Sequence, residues 1–133
     1  MNIRATLAEQ PRPRYLMCNP QHFAVSYSIN PWMDPKAWAE RGDALHATAA
    51  AQWDGLYRAL MRAGAAVELI DPAPGLPDLV FTANAAVVLD GKALLASFRH
   101  AERQGEQPVY AAGFHALKAR GLLGDVVEMP DGV

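Results

Sequence analysis

The sequence predicts an α/β fold in a single domain. Three observations carry that prediction. Apolar runs of strand length stand at 15–18, 67–70 and 126–129. Between the first two, apolar residues recur at helical spacing over a long stretch. Asp90-Gly91 separates two further apolar runs by two residues, a strong short-range hairpin signal. The order is strand, helix, strand, then hairpin, helix, strand. It suggests two similar units, about 15–71 and about 76–133. The two halves share no obvious motif, and a small α/β sandwich fits the same pattern.

Each element has a local reason. Residues 1–14 contain no apolar core, so they read as a flexible lead-in and not as a secretory signal. The run from Tyr15 to Cys18 reads as a buried strand, ended where Asn19-Pro20 removes a backbone donor. From His22 to Met33 there are aromatic and branched residues but two prolines close by, which reads as an irregular loop with some extended character. Asp34-Pro35 is a helix start, an N-cap side chain followed by proline in the first turn. Trp38, Leu45, Ala49, Trp53, Leu56 and Leu60 then form one apolar stripe over 36–63, with Gly42 a possible interruption and Gly64 the stop. The stretch 67–70 is a strand, and 71–75 is a turn-rich loop. Leu79 to Phe81 and Ala85 to Leu89 read as extended runs, and Lys92 to Ser97 as the hairpin partner. The charged segment 98–107 leads into a helix over 108–120, with Val109, Ala112, Phe114 and Leu117 as core candidates. A last strand, 126–129, ends in a turn.

Composition narrows the function. The 133 residues are 51% hydrophobic and 20% charged, which describes a globular chain. Twelve basic against fourteen acidic side chains give no basic excess, so no nucleic-acid partner is expected. No apolar run approaches the ~20 residues that span a bilayer, so no membrane partner is expected. The single cysteine, Cys18, cannot form an internal disulfide, and a cytoplasmic location follows as the default.

A few polar residues stand where strands would be apolar. Asp78, Thr82 and Asn84 cluster around Leu79-Val-Phe81. A carboxylate and an amide at strand ends can accept hydrogen bonds from a planar cation such as a guanidinium. They can equally cap a turn after Pro77 and sit at a bulge. Arg99 and Arg103 could hold a carboxylate by bidentate contact. They could also be neutralised by Glu102 and Glu106 in a solvated loop. His22, His46, His100 and His115 show no metal-ligand spacing, so no metal site is expected. Cys18, behind an apolar run, reads as a buried inert thiol.

Three segments together resemble a known superfamily. They are Leu16-Met-Cys-Asn-Pro-Gln-His-Phe with Tyr27-Ser-Ile-Asn-Pro-Trp-Met33, then Gly75-Leu-Pro-Asp-Leu-Val-Phe-Thr-Ala-Asn-Ala85, then Ser97-Phe-Arg-His-Ala-Glu-Arg-Gln-Gly-Glu106. In this order they look like the start of the guanidino-group-modifying enzymes: dimethylargininase, arginine deiminase, glycine amidinotransferase and arginine dihydrolase. The match runs from about Tyr15 to the end of the chain and is closest to the arginine dihydrolase branch. The resemblance implies a pentein fold, a five-bladed α/β propeller of strand-strand-helix-strand units, of which this chain would supply about two. It implies a small guanidino substrate and no cofactor. It also implies a cysteine nucleophile and a catalytic histidine beyond Val133, so the 133-residue chain by itself is expected to be inactive. Asp78 matches a substrate-contacting acid. Asn84 matches an asparagine of the dihydrolase branch where dimethylargininases carry an acid, and Asn30 matches a second asparagine of that branch. Arg103 matches an arginine that holds the substrate carboxylate. Two blades cut from a ring would expose apolar flanks, so a homo-oligomer is expected. An amidinotransferase parent, or a non-catalytic domain that binds ligand or self-associates, are the alternatives.

Overall fold

Residues 12–131 are described in a computed structural model. The first unit is a strand, a long helix and a parallel strand. β1 (Arg14–Cys18) lies beside β2 (Ala66–Ile70), with Leu16 opposite Glu68 and Cys18 opposite Ile70. A parallel pair needs a crossover. Helix α1 (Pro35–Arg62) supplies it. Its start is set by the Asp34 carboxylate, which accepts from the Ala37 N–H at 3.0 Å. Its end is set by Gly64, whose φ of 89° lies in the left-handed region that glycine alone adopts at low cost. A kink falls at Arg41 (φ −135°, ψ 22°), beside the glycine expected to interrupt the helix.

The second unit adds a hairpin. β3 (Ala86–Leu89) pairs antiparallel with β4 (Lys92–Leu95), and β4 pairs parallel with β5 (Asp125–Val127). Asp90 and Gly91 both take positive φ, 50° and 72°, as a two-residue turn of the tight hairpin type requires. A single turn, α2 (Ala101–Gln104), leads into α3 (Glu106–Ala119), which carries the chain from β4 back to β5. The core lies between α3 and the strands. Tyr110 and Phe114 pack with Cys18, Ile70, Leu79, Ala85, Ala93 and Leu95.

Several expectations are corrected. Leu79 to Phe81 is not extended: Pro77–Val80 and Thr82–Asn84 are successive 3₁₀ turns. Pro77 fixes φ in the range such a turn needs. The α1 stripe is only half covered, for no residue of that helix is fully buried and Leu56 is 55% exposed. In α3 the buried side chains are Glu106, Tyr110 and Phe114, whereas Ala112 faces solvent. Most of the expected lead-in lies outside the described residues. Arg12, however, is fixed, its Nε donating to the Gly64 carbonyl at 2.6 Å and Nη2 to that of Ala65 at 3.0 Å. Arg14 already belongs to β1.

Candidate functional site

The two 3₁₀ turns after Pro77 replace a strand with a knot of backbone, and that knot positions the polar residues. Thr82 Oγ1 donates to the Leu16 carbonyl on β1 at 2.7 Å, and Tyr110 Oη donates to the Leu79 carbonyl at 2.7 Å. These bonds satisfy backbone acceptors that a ladder would otherwise have used. Asp78 sits in the first turn and is only 5% exposed.

Arg103 ties the knot to α3. Its Nε and Nη2 fork onto the two carboxylate oxygens of Glu106, each at 2.8 Å. Nη2 also donates to the Asp78 backbone carbonyl at 3.2 Å, and Nη1 to Asn84 Oδ1 at 2.9 Å. The guanidinium carbon lies 4.4 Å from the centre of the Phe98 ring, in cation–π range. Four of its five N–H donors therefore have acceptors. Glu106 is fully buried and Arg103 nearly so, so the pair offsets the cost of removing two charges from water. Burial alone would lower the arginine pKa, but the Glu106 contact outweighs it and raises the value. The bidentate fork read from sequence as a carboxylate clamp is thus occupied here by Glu106, the neutralising acid that the bland reading anticipated. One Nη1 N–H remains uncommitted.

The Asp78 carboxylate has a different neighbourhood. Its Oδ2 accepts from Tyr27 Oη at 2.5 Å, the short distance of a charge-assisted bond. Among the described residues, no cationic side chain hydrogen-bonds to this carboxylate, and Oδ1 has no hydrogen-bond donor. Among the described residues no fully buried side-chain oxygen lacks a partner, so Oδ1 reaches solvent. Burial and the Asp78 contact both hold the Tyr27 phenol protonated, well above its usual pKa.

Three of the four residues singled out in the sequence are brought together: Asp78, Asn84 and Arg103. The fourth, Asn30, is exposed, and its Oδ1 accepts from the Trp32 N–H at 3.0 Å. Its loop is tied to Asp78 by Tyr27. Sequence reasoning missed Tyr27, Phe98 and Tyr110 as parts of this cluster. Glu106 was visible as the i+3 partner of Arg103. Cys18 is fully buried, and burial, helped by Asp71 and Glu106, pushes its thiol up to about 11. Among the described residues no group of three or more His, Cys, Asp or Glu side chains could hold a metal ion, and no helix is long and apolar enough to cross a membrane.

The chain belongs to the N,N-dimethylarginine dimethylhydrolase family, whose eukaryotic model matches residues 12–119. It is 46% identical over 103 residues to the bifunctional arginine dihydrolase/ornithine cyclodeaminase AgrE of Nostoc sp., covering 77% of this chain and 14% of that protein. It is 44% identical over 107 residues to N(G),N(G)-dimethylarginine dimethylaminohydrolase of Mycobacterium tuberculosis, covering 80% of this chain and 34% of that one. The chain therefore spans only about a seventh to a third of these relatives, and it corresponds to their N-terminal part. A Cys→Ala mutant of AgrE in complex with L-arginine superposes with a TM-score of 0.73 at 38% identity, covering 92% of this chain and 17% of that chain. The dimethylargininase of Pseudomonas aeruginosa, complexed with citrulline, shares the fold at a TM-score of 0.66 and 16% identity, covering 92% of this chain and 44% of that chain.

Proposed function

We propose that this chain is the N-terminal part of a hydrolase acting on the guanidinium group of arginine or a close analogue. The observation that carries the reading is the Asp78 carboxylate: nearly buried, bonded on one side by a neutral phenol, and open on the other. Arg103 lies near enough to feel this charge but bonds only the Asp78 backbone carbonyl, and a nearly buried carboxylate with no cation hydrogen-bonded to it favours a ligand that brings one. In the proposed reaction a cysteine thiolate attacks the guanidinium carbon, ammonia or an amine leaves, and water then releases citrulline; release of ornithine takes a second water, with loss of a second ammonia and carbon dioxide. Asp78, Asn84 and Asn30 would orient the guanidinium. Arg103 would meet the substrate carboxylate through its remaining Nη1 N–H. The cysteine and the acid–base histidine would come from residues outside this chain, because Cys18 is buried with its thiol held protonated. No cofactor enters this scheme, and a cytoplasmic location belongs to it.

The same proposal treats the two units as the first two blades of a five-bladed α/β propeller. The strand-strand-helix-strand order of the second unit supports it. L-Arginine in millimolar excess should raise the melting temperature of the chain, as any ligand of the native state does. The Asp78→Asn variant should show a smaller rise. An unchanged melting temperature in the parent chain would sink the reading.

One observation favours self-association as a second property. Val87, Leu94 and Val127 lie in register across the three strands, 69%, 42% and 45% exposed. They form a bare apolar row on the face away from α3. We propose that the isolated chain covers this row by forming dimers or higher oligomers.

A further inference from the structure

Asp78 is held twice, and the two grips differ. Its backbone carbonyl accepts from Arg103 and from the Phe81 N–H, the latter at 3.0 Å. Those bonds fix where the residue sits. They do not fix how the carboxylate is turned. Only the Tyr27 hydroxyl does that, from 51 positions earlier in the chain.

Tyr27 is itself held in place, although its segment has no regular structure. The Phe23 ring packs edge-on against Trp38 at 5.2 Å and against Phe81 at 5.8 Å between centroids. His46 Nε2 bonds the carbonyls of Pro20 and Gln21, at 2.9 and 3.1 Å. After Tyr27, Ser28 Oγ donates to the Asn30 carbonyl at 3.1 Å. The loop is thereby anchored on α1 and on the second 3₁₀ turn. Among the described residues, the phenol makes its one hydrogen bond to the site.

From this geometry we infer that Tyr27 is the positioning residue for the Asp78 carboxylate, and through it a determinant of guanidinium binding. By occupying Oδ2 the phenol leaves Oδ1 as the single oxygen offered to a ligand. The cation is therefore met by one directed acceptor at Asp78, and its remaining N–H groups must find partners elsewhere in the site. A carboxylate released from the phenol could rotate and would offer both oxygens with no fixed direction. The same bond ties the loop that carries Asn30 to the acid that receives the ligand. This inference rests on the guanidinium reading given above.

A double-mutant cycle on the 133-residue chain tests it, with L-arginine affinity measured by titration calorimetry or amide NMR shifts. Tyr27→Phe removes one hydroxyl from a half-buried loop residue, so its far-ultraviolet circular dichroism should match the parent. Its affinity for L-arginine should fall about tenfold, the loss expected for one charge-assisted bond. In the Asp78→Asn background the same substitution should change affinity by less than about twofold, because the group it positions is gone. Independent, additive losses would overturn the inference and leave the guanidinium reading standing. So would an unchanged affinity in Tyr27→Phe. A parent chain that binds no L-arginine would overturn both.

Discussion

At the scale of single residues, the chain already contains a guanidinium cage, and its occupant is its own Arg103, with one N–H left free. Glu106, Asn84, the Asp78 carbonyl and the Phe98 ring surround it. Arg103→Ala would leave Glu106 as an uncompensated buried charge, at a cost of about 3–5 kcal/mol. A urea midpoint lowered accordingly is the expected result. Low millimolar methylguanidinium should restore part of the loss, whereas urea at the same concentration should not. Arg103→Lys should rescue poorly, because an ammonium cannot reproduce the planar fork. Cys18 gives a second prediction. Its thiol titrates near 11 in the folded chain against 9.0 for an ordinary cysteine. The unfolded chain therefore loses this proton first as pH rises, and stability should decline through that interval and be unaffected by this group below it. Iodoacetamide at pH 8 should label Cys18 slowly in the native chain and readily in urea. Fast native labelling would show that the thiol is not sequestered.

At the scale of elements, the clearest signals were those written in backbone chemistry. Asp34-Pro35 read as a helix start because a carboxylate cap and a proline first turn act locally, and Asp34 does cap the Ala37 N–H. Gly64 and Asp90-Gly91 read correctly for the same reason: positive φ is a property of one residue, not of its surroundings. Asp34→Ala should therefore lower stability by about 1 kcal/mol, measurable as a shift in the thermal midpoint. Gly113→Ala should also destabilise, because an added Cβ would lie 2.7 Å from Ile70 Cδ1. Tertiary packing was harder to read. Leu79-Val-Phe81 has strand composition, but the Leu79 carbonyl goes to Tyr110 and the carbonyl of the preceding Asp78 to Arg103, partners no local pattern names. Tyr110 escaped notice because it carries a polar group, although it lies one turn before Phe114 on the same face and its hydroxyl is satisfied by the Leu79 carbonyl. Of the polar cluster, Asp78, Asn84 and Arg103 were found through a resemblance that spans three segments. The part played by Tyr27 is a long-range contact and leaves no trace in spacing.

At the scale of the whole molecule, Glu68 on β2 joins the two units. It pairs with Arg14 on β1 and with Arg120 after α3, the latter at 2.6 Å. The Arg120 bond, together with both arginine charges, outweighs the opposing effect of burial and sets the Glu68 carboxyl below its ordinary value. Exposed pairs of this kind contribute little, and high salt weakens them. The larger determinant is what remains uncovered. The row Val87, Leu94, Val127 should drive association, so light scattering at micromolar concentration should report a mass above one chain. Leu94→Lys should return it to the monomer without altering the circular dichroism, and a monomeric parent would rule the association out.

The measurement that bears most directly on the central claim compares L-arginine with L-citrulline as ligands of this chain. The two share a backbone and chain length, but only arginine carries the cation that Asp78 would receive. Titration calorimetry should show saturable arginine binding, at least tenfold weaker binding of citrulline, and loss of that preference in Asp78→Asn. Equal affinity for the two ligands, or an arginine preference that survives the substitution, would contradict the account.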